Sequence, residues 1–279
     1  MRKWLAHLVL IAIYLFFLLP LYWVVAMSFM TNQQILTYPP QFAFSPTLAN
    51  YKALVLGQLG GGVGTLKVDY LHNFINSLIV SCGAVGLSLV AGIPAAYALA
   101  RYRFRGADNW AFTLLSFRFA PALLILIPLL QIYRSVGLYN TYWGLILAYQ
   151  LITLPFIVWI VRGYFEDVSP ELEFAARLDG YGWWRSFWHV SLPLVKPGVV
   201  AAALLAFIYA WNNFIFALVL GSSDVQPVTV AMLSFMTASG IQYGVIAAAL
   251  VISVVPILLL AVYAQRFLVR GLSMGAIKG

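Results

Sequence analysis

Five of the chain's eight acidic residues, Glu166, Asp167, Glu171, Glu173 and Asp179, fall between positions 166 and 179. Two arginines, Arg177 and Arg185, and the rings of Tyr181, Trp183, Trp184, Phe187 and Trp188 follow closely. Charges and aromatic rings packed into one short segment suit the docking of a partner, because aromatics are frequent anchors of protein interfaces. The residue sets needed to make or break bonds do not occur. His7, His72 and His189 are dispersed and lack metal spacing, so no metal site is predicted. There is no Ser/His/Asp set, no paired carboxylates and no Gly-Lys-Ser/Thr phosphate loop. The single cysteine, Cys82, rules out an intrachain disulfide and a cysteine metal cage, and in its apolar stretch it reads as packing. No catalytic residue is predicted.

The elements that must carry the 169–193 island are apolar. Hydrophobic residues make up 63% of the 279, and charged ones 9%, against about 25% charged in a soluble domain. Lipid is the solvent that suits such a chain, and about 20 helical residues cross its hydrocarbon core. The apolar runs are continuous rather than alternating, which argues against a β-barrel. Six spans are predicted, at about 8–30, 71–98, 110–132, 142–163, 194–220 and 244–266. A secretory signal is the rival reading of the first run, but its apolar core would be shorter and followed by a small-residue cleavage site. With Pro20, Tyr22 and Trp23 inside the run, it reads as a retained span. Pro20, Pro94, Pro121, Pro128, Pro155 and Pro256 fall within spans and predict kinks. Kinked spans suit a bundle that surrounds a cavity or changes shape, although packing alone also explains them.

Charge sets the orientation. With the N-terminus cytoplasmic, the inner side holds twelve basic residues: Arg2, Lys3, Arg101, Arg103, Arg105, Arg162, Arg177, Arg185, Lys196, Arg266, Arg270 and Lys278. The outer side holds three, Lys52, Lys67 and Arg134, and Arg118 lies inside a span. This asymmetry follows the positive-inside rule and predicts a multi-pass protein of the cytoplasmic (inner) membrane with both termini cytoplasmic. The formal charge of +8 is then topological, and nucleic-acid binding, which needs basic residues together on a soluble face, is not predicted. The outer loop 31–70 carries Gly60-Gly61-Gly62-Val63-Gly64-Thr65, which reads as a flexible loop. Segment 221–243 is apolar but interrupted by Asp224, Pro227 and Gly240. A seventh span there would put the basic C-terminus outside, so an external or re-entrant segment is expected.

Locally, the island reads as a helix–turn–helix. Ser169 suits the cap and Pro170 the first helical position. Glu171 and Glu173 sit in the first turn, where the helix dipole favours anions. Leu172, Ala175 and Ala176 are expected on one face. Gly180 is expected to end the helix in a left-handed conformation. Pro193 and Pro197 are expected to stop the second, aromatic helix. The same pattern also suits an amphipathic pair resting on lipid headgroups, and periodicity leaves both readings open.

Within the spans, Arg118 is costly and should face the bundle interior, a cavity or a partner subunit. A role in the translocation path competes with a structural one, namely a packing ion pair or hydrogen bonds to backbone carbonyls. Asn212 and Asn213 can donate and accept together, which suits a polar solute, but asparagine also joins helices. Gln150 and Trp211 are further candidates for a translocation path.

The run Glu171-Leu-Glu-Phe-Ala-Ala-Arg-Leu-Asp-Gly180, then Ser191-Leu-Pro193 and Pro197, resembles the cytoplasmic loop of binding-protein-dependent ABC transporter permeases. In particular, the chain is similar to the maltose-type carbohydrate permeases. Gly137-Leu-Tyr-Asn-Thr-Tyr-Trp-Gly-Leu-Ile-Leu147, Trp211-Asn-Asn-Phe-Ile-Phe-Ala-Leu218, Gln265-Arg-Phe-Leu-Val-Arg-Gly271 and Gly275-Ala-Ile-Lys-Gly279 extend the likeness over nearly the whole chain. The resemblance implies an all-α polytopic membrane protein, with six transmembrane helices and a cytoplasmic helix–turn–helix coupling loop at 164–193. It implies a homologous second permease, a cytosolic ATPase dimer carrying ATP and Mg, and an extracytoplasmic solute-binding protein, with no cofactor on this chain. The implied activity is ATP-driven carbohydrate import by alternating access. A glycerol phosphate or other polyol-like solute is the alternative, and a channel or polytopic membrane enzyme fits less well. In the family the loop helix docks on the ATPase, which implicates Glu171, Glu173, Phe174, Ala175, Ala176, Arg177, Asp179 and Gly180. Phe174 stands where the family motif has glutamate, so a salt bridge from that position is impossible. Glu171 or Glu173 must substitute, or the contact is apolar. Similar sequences often carry an acid at the position of Asn213.

Overall fold

The computed structural model describes residues 2–59, 66–67, 69–102, 104–237 and 240–275. The glycine run 60–64 and the terminal 276–279 stretch lie outside them. Thirteen helices follow in order among the described residues. They are α1 (Arg2–Ser28), α2 (Asn32–Leu36), α3 (Ala49–Leu56), α4 (Tyr70–Arg101), α5 (Ala107–Ser116), α6 (Ala122–Ser135), α7 (Tyr142–Asp167), α8 (Pro170–Leu178), α9 (Trp183–Ser186), α10 (Leu192–Trp211), α11 (Ile215–Leu220), α12 (Val228–Ala231) and α13 (Tyr243–Gly275). Two short antiparallel pairings complete the set: β1 (Gln58–Leu59) with β2 (Leu66–Lys67), and β3 (Met236–Thr237) with β4 (Gly240–Ile241).

Five helical stretches are long and apolar enough to cross a membrane: Trp4–Ser28, Tyr70–Arg101, Tyr142–Asp167, Trp183–Trp211 and Tyr243–Phe267. A sixth is a broken pair, Ala107–Phe119 and Ala122–Ser135, bent by 91°. The protein is therefore an all-α polytopic membrane protein with six spans when the bent pair counts as one. The third span was expected over 110–132 with a kink at Pro121, and the chain bends there by a right angle. The helix breaks because Ala120, which precedes Pro121, is extended at ψ 132°, and proline disfavours the helical region for its predecessor.

The chain forms two compact units. In the first (Met1–Phe74 and Val230–Val255), α1 exposes its large side chains from Trp4 to Tyr22. Such a helix is an apolar rod suited to lipid or another subunit. Beyond it, polar side chains satisfy the backbone of the turns. Asn50 Nδ2 donates to the carbonyls of Ser28 (2.9 Å) and Met30 (2.8 Å), and Asn32 Nδ2 donates to Gln242 Oε1 at 2.8 Å. The Tyr70 hydroxyl donates to the Ala249 carbonyl at 2.8 Å. The interrupted segment expected at 221–243 contains only short elements among its described residues.

The second unit (Ile75–Thr229 and Pro256–Gly279) is built around α7. Val80 and Ala84 of α4, Leu126 and Tyr133 of α6, Leu145, Ala148 and Tyr149 of α7, and Phe216 and Leu220 of α11 form one buried cluster. Helices come close where side chains vanish: a Cβ on Gly92 would stand 2.9 Å from Ile157, and one on Gly198 2.2 Å from the Tyr164 ring. Ser88 donates to Gln150 Oε1 (2.6 Å) and shares a 2.7 Å hydrogen bond with Thr153, a polar tie between α4 and α7.

Two expectations need correction. Pro193 and Pro197 do not stop the second loop helix. Phe187–Ser191 form one π-helical turn between α9 and α10, and the helix continues to Trp211. The π-helical turn just before Pro193 lets the helix run on past the backbone donor that proline lacks. The predicted fifth span 194–220 is itself interrupted, since α10 ends at Trp211 and α11 begins at Ile215.

Candidate functional site

The loop helix α8 is closed at both ends by its own sequence. Ser169 Oγ accepts from the Glu171 amide at 3.3 Å, and Pro170 takes the first turn. At the other end Gly180 adopts φ +87°. Its amide donates to the Arg177 carbonyl and that of Tyr181 to the Ala176 carbonyl, each at 3.0 Å. This pair of bonds is a Schellman motif, which satisfies the last carbonyls and fixes the exit of the chain.

Burial sorts the predicted docking residues into two groups. Glu173, 3% exposed, and Ala176 face the protein. Glu171, Phe174 (58% exposed), Ala175, Asp179 and Gly180 face outward, and so does Leu178 (89%), which the sequence reading had not singled out. The face expected to unite Leu172, Ala175 and Ala176 is thus divided, because Ala176 shares its three-residue spacing with Glu173. Arg177 is half-buried, with its guanidinium carbon 3.2 Å from the Trp183 ring centroid. Leu178, Phe174 and Ala175 leave an apolar ridge rimmed by Glu171 and Asp179.

The inward carboxylate is fully engaged. Arg101 Nε donates to Glu173 Oε1 at 2.7 Å, and the Tyr97 hydroxyl donates to Oε2 at 2.8 Å. Arg101 Nη2 also donates to the Val168 carbonyl at 2.9 Å. Burial alone would raise the carboxyl's pKa, but the hydrogen bonds from Arg101 and Tyr97 and the Arg101 charge outweigh it and hold Glu173 below the ordinary glutamate value. A folded-state pKa below the unfolded one adds stability above the unfolded value, lost as pH falls through the folded one. Next to this pair, Pro94, Tyr97, Ala98, Tyr102, Trp183, Trp184 and Phe187 line an aromatic cup of about 270 Å³.

The in-membrane candidates do not converge. Arg118 sits at the bend of the third span, its guanidinium carbon 4.2 Å from the ring centroids of both Phe156 (α7) and Tyr209 (α10). A cation between two rings meets the cost of charge in lipid without an acid. The sequence reading named an ion pair or backbone carbonyls as the structural contact, whereas the contacts seen within the chain are these two rings. Arg118→Ala is expected to lower the melting temperature of the purified protein, since each such contact contributes about 0.5–2 kcal/mol. Arg118→Lys should retain part of it; equal melting of wild type and Arg118→Ala would refute the clamp.

Gln150 is occupied as a helix tie, its Nε2 donating to the carbonyls of Ala84 (3.0 Å) and Ile146 (2.9 Å). Trp211 is buried and stacks on Phe207. Asn212 Nδ2 donates to the Ile208 carbonyl, whereas Asn213 Oδ1 accepts from the Phe216 amide. The asparagine pair thus manages the break between α10 and α11.

A capped loop helix between membrane spans is the arrangement that the loop motif implies. Residues 88–274 match the model of the family described as binding-protein-dependent transport system inner membrane component. The chain belongs to this family. A diacetylchitobiose uptake system permease protein of Streptomyces coelicolor is 33% identical over 263 residues, covering 93% of this chain and 91% of the relative. A trehalose transport system permease protein of Mycobacterium tuberculosis is 31% identical over 265 residues, covering 94% and 93%. The fold matches a bacterial ABC transporter involved in import of the acidic polysaccharide alginate, with a TM-score of 0.74 and 22% identity over 95% of this chain and 96% of that one. The protein is a membrane-spanning permease subunit of an ABC transporter, and such subunits are non-catalytic.

Proposed function

We propose that this permease imports a carbohydrate by alternating access, with one homologous permease, a cytosolic ATPase dimer and an extracytoplasmic solute-binding protein as partners. ATP and Mg belong to the ATPases, and this chain carries no cofactor. Both termini are placed on the cytoplasmic side in this reading, which the charge asymmetry supports. The carbohydrate reading is supported by the uptake named for the relatives from Streptomyces and Mycobacterium. The observation that carries the reading is α8, a short helix locked at both ends that turns Phe174, Ala175 and Leu178 outward. ATPase docking then falls on Glu171, Phe174, Ala175, Leu178, Asp179 and Gly180. Phe174 makes an apolar contact where the family motif would place a carboxylate.

Burying a phenylalanine or leucine contributes about 1.5–3 kcal/mol. Leu178→Asp and Phe174→Asp, which bury a charge instead, should therefore weaken ATPase association by at least about tenfold each. Co-purification of ATPase subunits with the tagged permease measures this. Undiminished ATPase recovery in both variants would sink the apolar docking face. Uptake of labelled oligosaccharide by proteoliposomes that persists without ATPases would reject the importer reading.

A further inference from the structure

Glu173 lies in the docking segment but is turned into the chain, 3% exposed. Both of its oxygens are taken from within the chain, by Arg101 and by Tyr97 one turn earlier on α4. The same guanidinium caps the end of α7 through the Val168 carbonyl. Side-chain exposure is 9% for Arg101 and 4% for Glu173, so solvent does little to loosen the pair. One arginine therefore binds three elements: the last turn of α4, the exit of α7 and the loop helix α8.

We infer that Glu173 and Arg101 are positioning residues that lock the coupling helix to the cytoplasmic ends of α4 and α7, so that displacement of the lever moves those two spans. This deepens the docking proposal and rests on it. The alternative is a lever tethered only by its chain ends, which would swing without carrying the spans. The buried aromatic contacts beside the pair favour transmission: Tyr97 packs edge-on against Phe165 of α7 and against Phe187, which follows α9, at 5.3 and 4.9 Å between centroids. A charge-assisted tie surrounded by rings has little room to yield.

The test uses the assembled transporter in nanodiscs, comparing the nucleotide-free state with one trapped by ATP and vanadate. Hydrogen exchange is followed at residues 97–101, 164–168 and 171–180. In wild type, all three segments should respond to nucleotide together. In Glu173→Gln and Arg101→Gln, segment 171–180 should still respond and the ATPases should still co-purify, because the docking face is untouched. Segments 97–101 and 164–168 should fall silent, and α8 protection should drop by about tenfold or more. The charge-swapped pair Arg101→Glu with Glu173→Arg should recover part of that protection, which a merely misfolded single variant could not. Nucleotide responses in the two spans that are equal in wild type and both single variants would overturn the inference. Failure of wild type to retain ATPases would instead refute the docking proposal. Exchange of α8 in the permease alone would then still decide the lock, with unchanged protection in the single variants rejecting it.

Discussion

Gly180→Pro is expected to abolish transport while the protein still inserts in the membrane. Gly180 has φ +87°, whereas proline is confined to about −65°. The substitution also deletes the amide that donates to the Arg177 carbonyl. The Schellman closure would be lost, Tyr181 would be displaced from Ala176, and the turn into α9 would take another path. Because Arg177 lies on the Trp183 ring, misdirecting that turn also breaks the contact between the two loop helices. Strain and lost hydrogen bonding of this kind cost about 3 kcal/mol or more, enough to make the ordered lever a minor state. The expected result is near-complete loss of ATP-driven uptake in proteoliposomes, with normal amounts of protein in the membrane fraction. Gly180→Ala should be milder, since nothing stands within 4 Å of a Cβ there and the penalty is conformational alone. Normal uptake by Gly180→Pro would show that lever geometry does not matter.

The lever was legible in the sequence because its signals are local. Ser169, Pro170 and Gly180 act on backbone groups within a few residues, and each stands in the structure where its chemistry demands. The apolar runs were legible for a similar reason: lipid offers no hydrogen bonds, so a long apolar stretch must satisfy its backbone as helix. What could not be read was which way α8 faces. Glu173 is turned inward by Arg101, which is 72 residues away in sequence, and no local pattern encodes that partner. Its three-residue spacing to Ala176 did place both on one side, opposite Leu178. The span breaks illustrate two kinds of signal. At Pro121 the sequence announced the break and only its 91° size was new. At Asn212 and Asn213 no proline warned of it; the asparagine side chains compete with the helix for its own backbone groups. Conversely, Pro193 and Pro197 promised a stop, but the π turn before them lets the helix run on.

Gly198→Val is expected to be strongly damaging where α7 and α10 meet. On α10, a Cβ at this position would stand 2.2, 2.3 and 2.7 Å from the inner atoms of the Tyr164 ring on α7. These are the atoms nearest the Tyr164 backbone, so rotating the far end of the ring gives no relief. Two effects compete in any replacement of this glycine. Glycine to alanine inside a helix gains about 1 kcal/mol from propensity, while forcing atoms into a packed contact costs about 1–3 kcal/mol. For Gly198→Ala packing should win by a modest margin. Valine adds two more methyl carbons and restricts its own rotamers, so α7 and α10 should be driven apart. Gly163 supplies the control, since a Cβ there meets nothing within 4 Å and its alanine variant should melt at or above the wild-type temperature. Thermal melting in detergent should therefore order the variants Gly163→Ala, wild type, Gly198→Ala and Gly198→Val from most to least stable. Tyr164→Ala and Gly198→Ala together should cost less than the sum of the two single losses, because the ring that clashes is gone. If Gly198→Val melts like wild type, α7 and α10 do not meet at this glycine, and the bundle that carries the lever is built differently.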